Sequence, residues 1–252
     1  MTVEKVSDTL QRIVFDNSRV ITLIGTAHVS KESIDEVMSA IEEIGPDRIC
    51  VELDEGRYKS KTESQSWENL NLKTIFKEGK GFLLLANMAL SSYQKRLGAQ
   101  IGVSPGDEIM GAAELAVEKG IPLSFSDREI QVTFKRAWRL SSGWNKIKLI
   151  SSLLGAVFFD EEISEEDIEK LKETDILQSM LDEIAKELPT IKKVLIDERD
   201  EYLATKIYEA EGENVVAVVG AGHVPGLIAH LEKLDKKEVA ANVEKIAFVP
   251  PP

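Results

Sequence analysis

Apolar and polar residues along this chain follow two periods, one of about two and one of about 3.6. Arg19 to Ile24 is a β-rich apolar run that closes on the turn Gly25-Thr26-Ala27-His28. Ser30 stands where a helix N-cap would, with Ser33 three residues on in place of the capping-box glutamate. Ile34, Val37, Met38, Ile41 and Ile44 then recur at helical spacing until Gly45-Pro46-Asp47 stops the helix. Arg48 to Leu53 is a second strand, apolar until Glu52. A short crossover between two such strands predicts a parallel, right-handed βαβ unit.

The last third repeats the plan. Asp197 to Glu211 reads as an amphipathic helix with Tyr202, Leu203, Ile207 and Tyr208 on its apolar side. Val215 to Val219, β-branched throughout apart from Ala217, is the run of a buried parallel strand. Gly220-Ala221-Gly222-His223 follows as a turn, Pro225 to Leu234 as a helix, and Lys245 to Val249 as a last strand. Between the two units, Glu108 to Glu118 reads as a helix and Ile121 to Phe125 as a short strand. The fold class expected is α/β, with a mostly parallel central sheet built from two similar βαβ halves. Residues 1–252 form one domain in this reading, and 67–188 are a largely helical insertion covering the strand ends.

Charge and composition narrow the function classes. The chain has 31 Lys+Arg against 44 Asp+Glu, a net charge of −13, which argues against a nucleic-acid partner. Its one cysteine, Cys50, excludes a disulfide framework and a Cys-rich zinc module, and sits in an apolar run as a small buried residue would. The charge-free stretch Gly81 to Gln94 is shorter than the ~20 apolar residues a spanning helix needs. No basic region leads into an apolar run at the N-terminus, so the expected location is cytoplasmic. Apolar stripes in Phe82–Leu90 and Ile147–Phe159 read as ordinary helix core faces, or else as a peptide groove, partner or membrane surface.

Of three histidines, His28 and His223 stand at matching places, each closing a Gly-x-x-His turn at the carboxyl end of a predicted parallel strand. Ligands of open α/β sheets bind outside those ends. Gly25, Gly220 and Gly222 let backbone approach a bound group, and an imidazole there can ligate a metal or shuttle protons. The plainer reading is that each histidine caps its helix. His230 sits mid-helix and reads as a surface residue. Glu52 ends a strand buried on both faces, where a carboxylate must be paired or hold a cation; Arg57 or another arginine is the structural partner to weigh against a ligand role. Asp127 and Arg128 lie at a third strand end. Glu198-Arg199-Asp200, with Tyr202 beside it, opens the helix before the second motif. Glu198 and Asp200 suit a helix N-terminus, and Arg199 suits an anion or transition-state clamp.

Four segments, Thr22–Ser30, Val51–Tyr58, Asp197–Ala204 and Val218–Gly226, together resemble the TraB family, which includes the PrgY-like pheromone-shutdown proteins. That family is similar to a wider group with the TIKI proteases, erythromycin esterase and ChaN-like haem-binding proteins. The resemblance implies an α/β core of two similar halves. Through the TIKI branch it implies a divalent-metal-dependent peptidase with two Gly-x-x-His motifs and an acidic residue, which His28, His223 and Glu52 match here. It also implies a membrane-spanning C-terminal part in many bacterial and archaeal members; this chain ends on Pro250-Pro251-Pro252 without one, as the soluble part of a longer protein would.

The leading expectation is therefore a metal-dependent, peptidase-like hydrolase. His28, Glu52 and His223 would hold Zn, Mn, Fe or Co. Asp127 or Glu198 would be the general base, and Arg199 or Arg128 would stabilise the oxyanion. The alternative is a non-catalytic module that sequesters a peptide or small-molecule ligand. A second copy, as a homodimer, is a further candidate partner. A dinucleotide site at Gly220–Gly226 is excluded: too little chain follows, and the acidic residue ~20 positions on is missing from Lys245–Val249.

Overall fold

The computed structural model describes residues 1–26, 31–62, 82, 84–89, 91–92, 106–158 and 186–251. Strand β1 (Thr2–Lys5) and β2 (Leu10–Val14) precede β3 (Val20–Thr26), which leads to helix α1 (Lys31–Ile44) and β4 (Arg48–Val51). Helices α2 (Glu55–Thr62) and α3 (Asp107–Lys119) come next, then β5 (Leu123–Phe125), α4 (Ile130–Leu140) and α5 (Gly143–Phe158). The short α6 (Pro189–Lys192) runs through a π-helical turn, Lys193–Asp197, into α7 (Glu198–Glu209). Strand β6 (Asn214–Gly220), a 3-10 turn at Ala221–His223, α8 (Val224–Asp235) and α9 (Glu244–Ala247) complete the described elements.

The six strands form one sheet in the order β1-β2-β3-β6-β4-β5. β3, β6, β4 and β5 are parallel, and β1 and β2 add an antiparallel edge beside β3. The two histidine-bearing units therefore lie side by side, with Gly25 opposite Val219 and Thr26 opposite Gly220. Side chains along β6 alternate between two layers, as a pleated strand requires. Val215, Ala217 and Val219 pack with Cys50 against α7 and α8. Val216 and Val218 pack on the other face with Ile24, α1 and α3. The four valines of β6 are fully buried, each contributing ~1.5–3 kcal/mol on removal from water. The helix after β3 thus lies on one face and the helix after β6 on the other, so their strand ends meet where the connections diverge, the usual place of a ligand crevice in such sheets.

Two expectations change. Lys245–Val249 is not a strand: Glu244–Ala247 is a short helix, and Phe248 is extended beyond it. Buried Arg136 takes up the Lys245 and Phe248 carbonyls and Arg128 that of Ile246, so the segment is held by arginines instead of a sheet neighbour. The β1-β2 hairpin was not anticipated; every residue of β1 is exposed, so no apolar alternation marks it. Within 67–188, α3 lies on the sheet face and β5 is the sheet edge, while Phe82 stacks on Trp138 at 4.7 Å. On α5, Trp144 and Ile147 are exposed. Among the described residues, no helix is long and apolar enough to cross a membrane.

Candidate functional site

Four side chains singled out by sequence converge at the carboxyl ends of the parallel strands. Glu52 directly follows β4, and its amide still donates to Val218 O at 3.0 Å. Its Oε2 accepts the Gly220 amide at 2.7 Å. A Cβ at Gly220 would stand 3.3 Å from that oxygen, so the glycine leaves room for the carboxylate. Asp127 lies just past β5, buried, with Oδ1 accepting the Arg128 amide at 2.8 Å. Arg199 sits in the first turn of α7, and His223 ends the 3-10 turn after β6.

Arg199 is the hub. Its Nη2 donates to Glu52 Oε1 at 2.6 Å and to Asp127 Oδ2 at 2.7 Å, its Nε donates to Asp127 Oδ1 at 3.1 Å, and its Nη1 is 3.2 Å from His223 Nε2. Burial alone would lower the guanidinium pKa; Asp127 and Glu52 reverse that and raise it, so Arg199 stays charged. Glu52 is the structural partner of an arginine after all, but of Arg199 and not Arg57. Arg57 instead approaches Asp127 at the 4.0 Å limit of an ion pair.

His223 is held from both sides. Its Nδ1 lies 2.5 Å from Asp200 Oδ1, and its Nε2 lies 3.4 Å from Glu52 Oε1. Burial would depress the imidazole, yet Glu52 and Asp200 outweigh it and hold it above its ordinary value. Burial likewise raises Glu52, and there His223, Arg199 and the Gly220 amide win, leaving the carboxyl below its ordinary value. For Asp200 burial wins, and the carboxyl lies above its ordinary value despite His223.

The remaining candidates separate from this centre. Glu198, next to Arg199 in sequence, belongs to a second buried cluster. It accepts Arg128 Nη1 at 2.9 Å, Arg136 Nε at 2.8 Å and Arg136 Nη2 at 2.8 Å. Arg128 also donates to Thr133, to Val194 O and to Ile246 O. Burial pushes Glu198 up, but its two arginines hold it below the ordinary glutamate value. With every charge engaged, Glu198 and Arg128 serve as structural partners. Tyr202 is half-buried, with Lys206 over its ring at 5.9 Å, and burial raises its phenol. Gly25 packs on the second motif, where a Cβ would stand 2.9 Å from Val224 Cγ2. Gly222 lies in the 3-10 turn itself. His28 lies outside the described residues. His230 is half-buried, not a surface residue, and its buried Nε2 has no hydrogen-bond partner among the described residues.

Two residues of these buried clusters carried weaker signals. Asp200 reads as a helix N-terminal acid, and only the packing of α7 on α8 shows that it faces His223. Arg136 is an arginine within an amphipathic helix, a position without a chemical signature.

The donor set bears on a metal. Two ligands of one tetrahedral zinc, each ~2.0–2.1 Å from it, stand ~3.3 Å apart. His223 Nε2 and Glu52 Oε1 are 3.4 Å apart. Asp200 on Nδ1 and the Gly220 amide on Oε2 supply the outer contacts that metal-bound histidines and carboxylates need. That separation is one a divalent ion spans, but both atoms already face the Arg199 guanidinium, Oε1 accepting Nη2 at 2.6 Å and Nε2 lying 3.2 Å from Nη1. Among the described residues no group of three side chains could complete a metal site.

Comparison with known proteins shows the family. An uncharacterized protein of Methanocaldococcus jannaschii is 38% identical over 218 residues, covering 85% of this chain and 54% of the relative. TraB domain-containing proteins of Homo sapiens and Mus musculus are each 32% identical, covering 96% of this chain and 69% of their own length. The chain thus spans about half of the archaeal relative and about two thirds of the mammalian ones. The TraB/PrgY/gumN family profile matches residues 9–241, from before β3 to beyond α8, and the chain belongs to that family.

Proposed function

We propose that the protein is a hydrolase acting on a peptide or a small ester or amide at the crevice beyond β3, β6 and β4. One observation carries this reading: His223 Nε2 and Glu52 Oε1 stand 3.4 Å apart with their outer atoms held by Asp200 and the Gly220 amide. His223 and Glu52 would hold a divalent ion, with His28 as the third ligand. When bound, the ion supplies Lewis-acid polarisation of a carbonyl and an acidified water.

The chain's own groups do the rest. Asp200 on Nδ1 would orient the ring so that Nε2 faces Glu52 and Arg199, 3.4 and 3.2 Å away. Asp127 anchors Arg199 through two parallel contacts, which fixes the guanidinium beside the reacting carbonyl, where it would stabilise a developing oxyanion. Arg57, at the rim, would meet an anionic part of the substrate. Glu198 takes no part in proton transfer, since both its oxygens are committed to arginines.

Thermal melts with and without zinc or manganese test the reading. Wild type should gain about 2.7 kcal/mol at a metal concentration a hundredfold above Kd. His28→Ala, His223→Ala and Glu52→Gln should lose that gain. Equal responses in all four proteins would overturn the site assignment. Peptide binding without turnover in the metal-loaded protein would assign the sequestering alternative.

A further inference from the structure

Gly226 stands in the first turn of α8, and glycine is a poorer helix former than alanine. Its backbone does not call for glycine. The glycines with positive φ among the described residues are Gly45, Gly106, Gly120 and Gly212. Space explains the residue instead. A Cβ built on Gly226 would lie 2.0 Å from Asp200 Oδ2, 2.5 Å from its Cγ and 3.0 Å from its Cβ.

The depth of that overlap decides its effect. A clash with one carboxylate oxygen could be relieved by turning the carboxylate about its last bond. A clash that reaches Cγ and Cβ cannot. Asp200 would have to change its χ1 rotamer, and it is buried against α8 with little room to do so. Any such change carries Oδ1 away from His223 Nδ1, now 2.5 Å distant. The bare face of α8 at Gly226 is thus the floor on which Asp200 rests while it holds the ring.

We infer that Gly226 is a positioning residue for His223, acting through Asp200: the missing side chain is what lets the carboxylate reach the imidazole. The second motif is then longer than Gly-x-x-His. Gly220 makes room for Glu52, His223 supplies the ring, and Gly226, three residues on, makes room for the acid behind it. The inference deepens the proposed function but holds whether His223 meets a metal ion or a proton.

The chain has three histidines, so nitrogen-15 imidazole spectra are assignable with one His223→Gln control. At a pH where the ring is neutral, wild-type His223 should carry its proton on Nδ1. Gly226→Ala should lose that preference, as Asp200→Ala does, and should melt at least about 2–4 °C lower. In an Asp200→Ala background only the Cβ contact at 3.0 Å remains, the two deep overlaps being gone, so Asp200→Ala/Gly226→Ala should melt close to Asp200→Ala alone. That comparison still decides the matter if Gly226→Ala by itself does not fold. A Gly226→Ala protein with the wild-type tautomer overturns the inference. So does an equal penalty in both backgrounds, which would make Gly226 a matter of helix packing only. A wild type that binds no metal removes the metal from the proposed function and leaves these readouts unaffected.

Discussion

Arg199 grips Asp127 with two parallel contacts, Nε to Oδ1 at 3.1 Å and Nη2 to Oδ2 at 2.7 Å. This fork joins the end of β5 to the start of α7, so the outermost parallel strand and the helix before β6 meet through one ion pair. Its geometry suits a planar guanidinium and not an ammonium. Asp127→Asn should destabilise the protein by ~3–5 kcal/mol, since it leaves a buried arginine short of charge. Arg199→Lys should be nearly as costly. Urea midpoints at constant slope check both; a loss under 1 kcal/mol in each would show the fork to be dispensable.

Glu198 sets an acid limit. Its folded pKa is depressed by Arg136 and Arg128 against the pull of burial. Stability from this group is therefore fully present above the ordinary value of 4.5 and is lost as pH falls below it, through the lower folded value. Glu198→Gln should cost ~3–5 kcal/mol at neutral pH. The gap between wild type and variant should shrink below that limit. Denaturation curves across pH 3–7 (roughly the span over which a depressed carboxyl titrates) measure the gap, and one that does not change with pH contradicts this account.

Gly25 marks where the two motifs touch. A Cβ there would stand 2.9 Å from Val224 Cγ2 and 3.4 Å from Ala221 Cα. Gly25→Ala should lower stability by ~1–3 kcal/mol through overpacking. Val224→Ala in the same chain should recover part of that loss, because the closer contact is with a side chain. Additive effects of the two changes would place the strain elsewhere.

Arg136 fastens the segment after α8. Its Nη1 donates to Lys245 O at 3.1 Å and to Phe248 O at 2.6 Å. Arg136→Gln should speed amide exchange in residues 244–249 while leaving β6 protected. Exchange measured by mass spectrometry or NMR distinguishes this from general loosening, in which both regions would speed up.

The sheet was legible wherever burial imposes a period. The apolar runs of β3, β4 and β6 mark strands covered on both faces, and glycine or proline marks their ends. The β1-β2 hairpin escaped because its outer strand has no buried face to impose alternation. Lys245–Val249 misled in the opposite way: apolar residues there are held by arginine contacts from 109 or more positions away, which no local pattern reveals. Within the site, strand-end placement brought out Glu52, Asp127 and His223. Adjacency could not tell Glu198, Arg199 and Asp200 apart. They lie in one turn of helix, yet the first points to Arg128 and Arg136, the second to Asp127 and Glu52, and the third to His223.

The pairing of β3 with β6 has a consequence for how the protein is made. Thr26 donates its hydroxyl to Val219 O, a contact between residues 193 positions apart. Loop closure on that scale is slow, and topologies rich in such distant pairs fold late. At ~5–20 residues per second, a ribosome finishes β3 well before it reaches β6. During that interval β3, an apolar strand, has an open edge of unpaired N–H and C=O groups, a template for the wrong partner. Only when Val215–Val219 emerge can the central pair close and bring Glu52 to the Gly220 amide. Release of the chain before that point leaves a sticky fragment without a centre, so translation pauses or chaperone holding in the second half should govern the yield of folded protein.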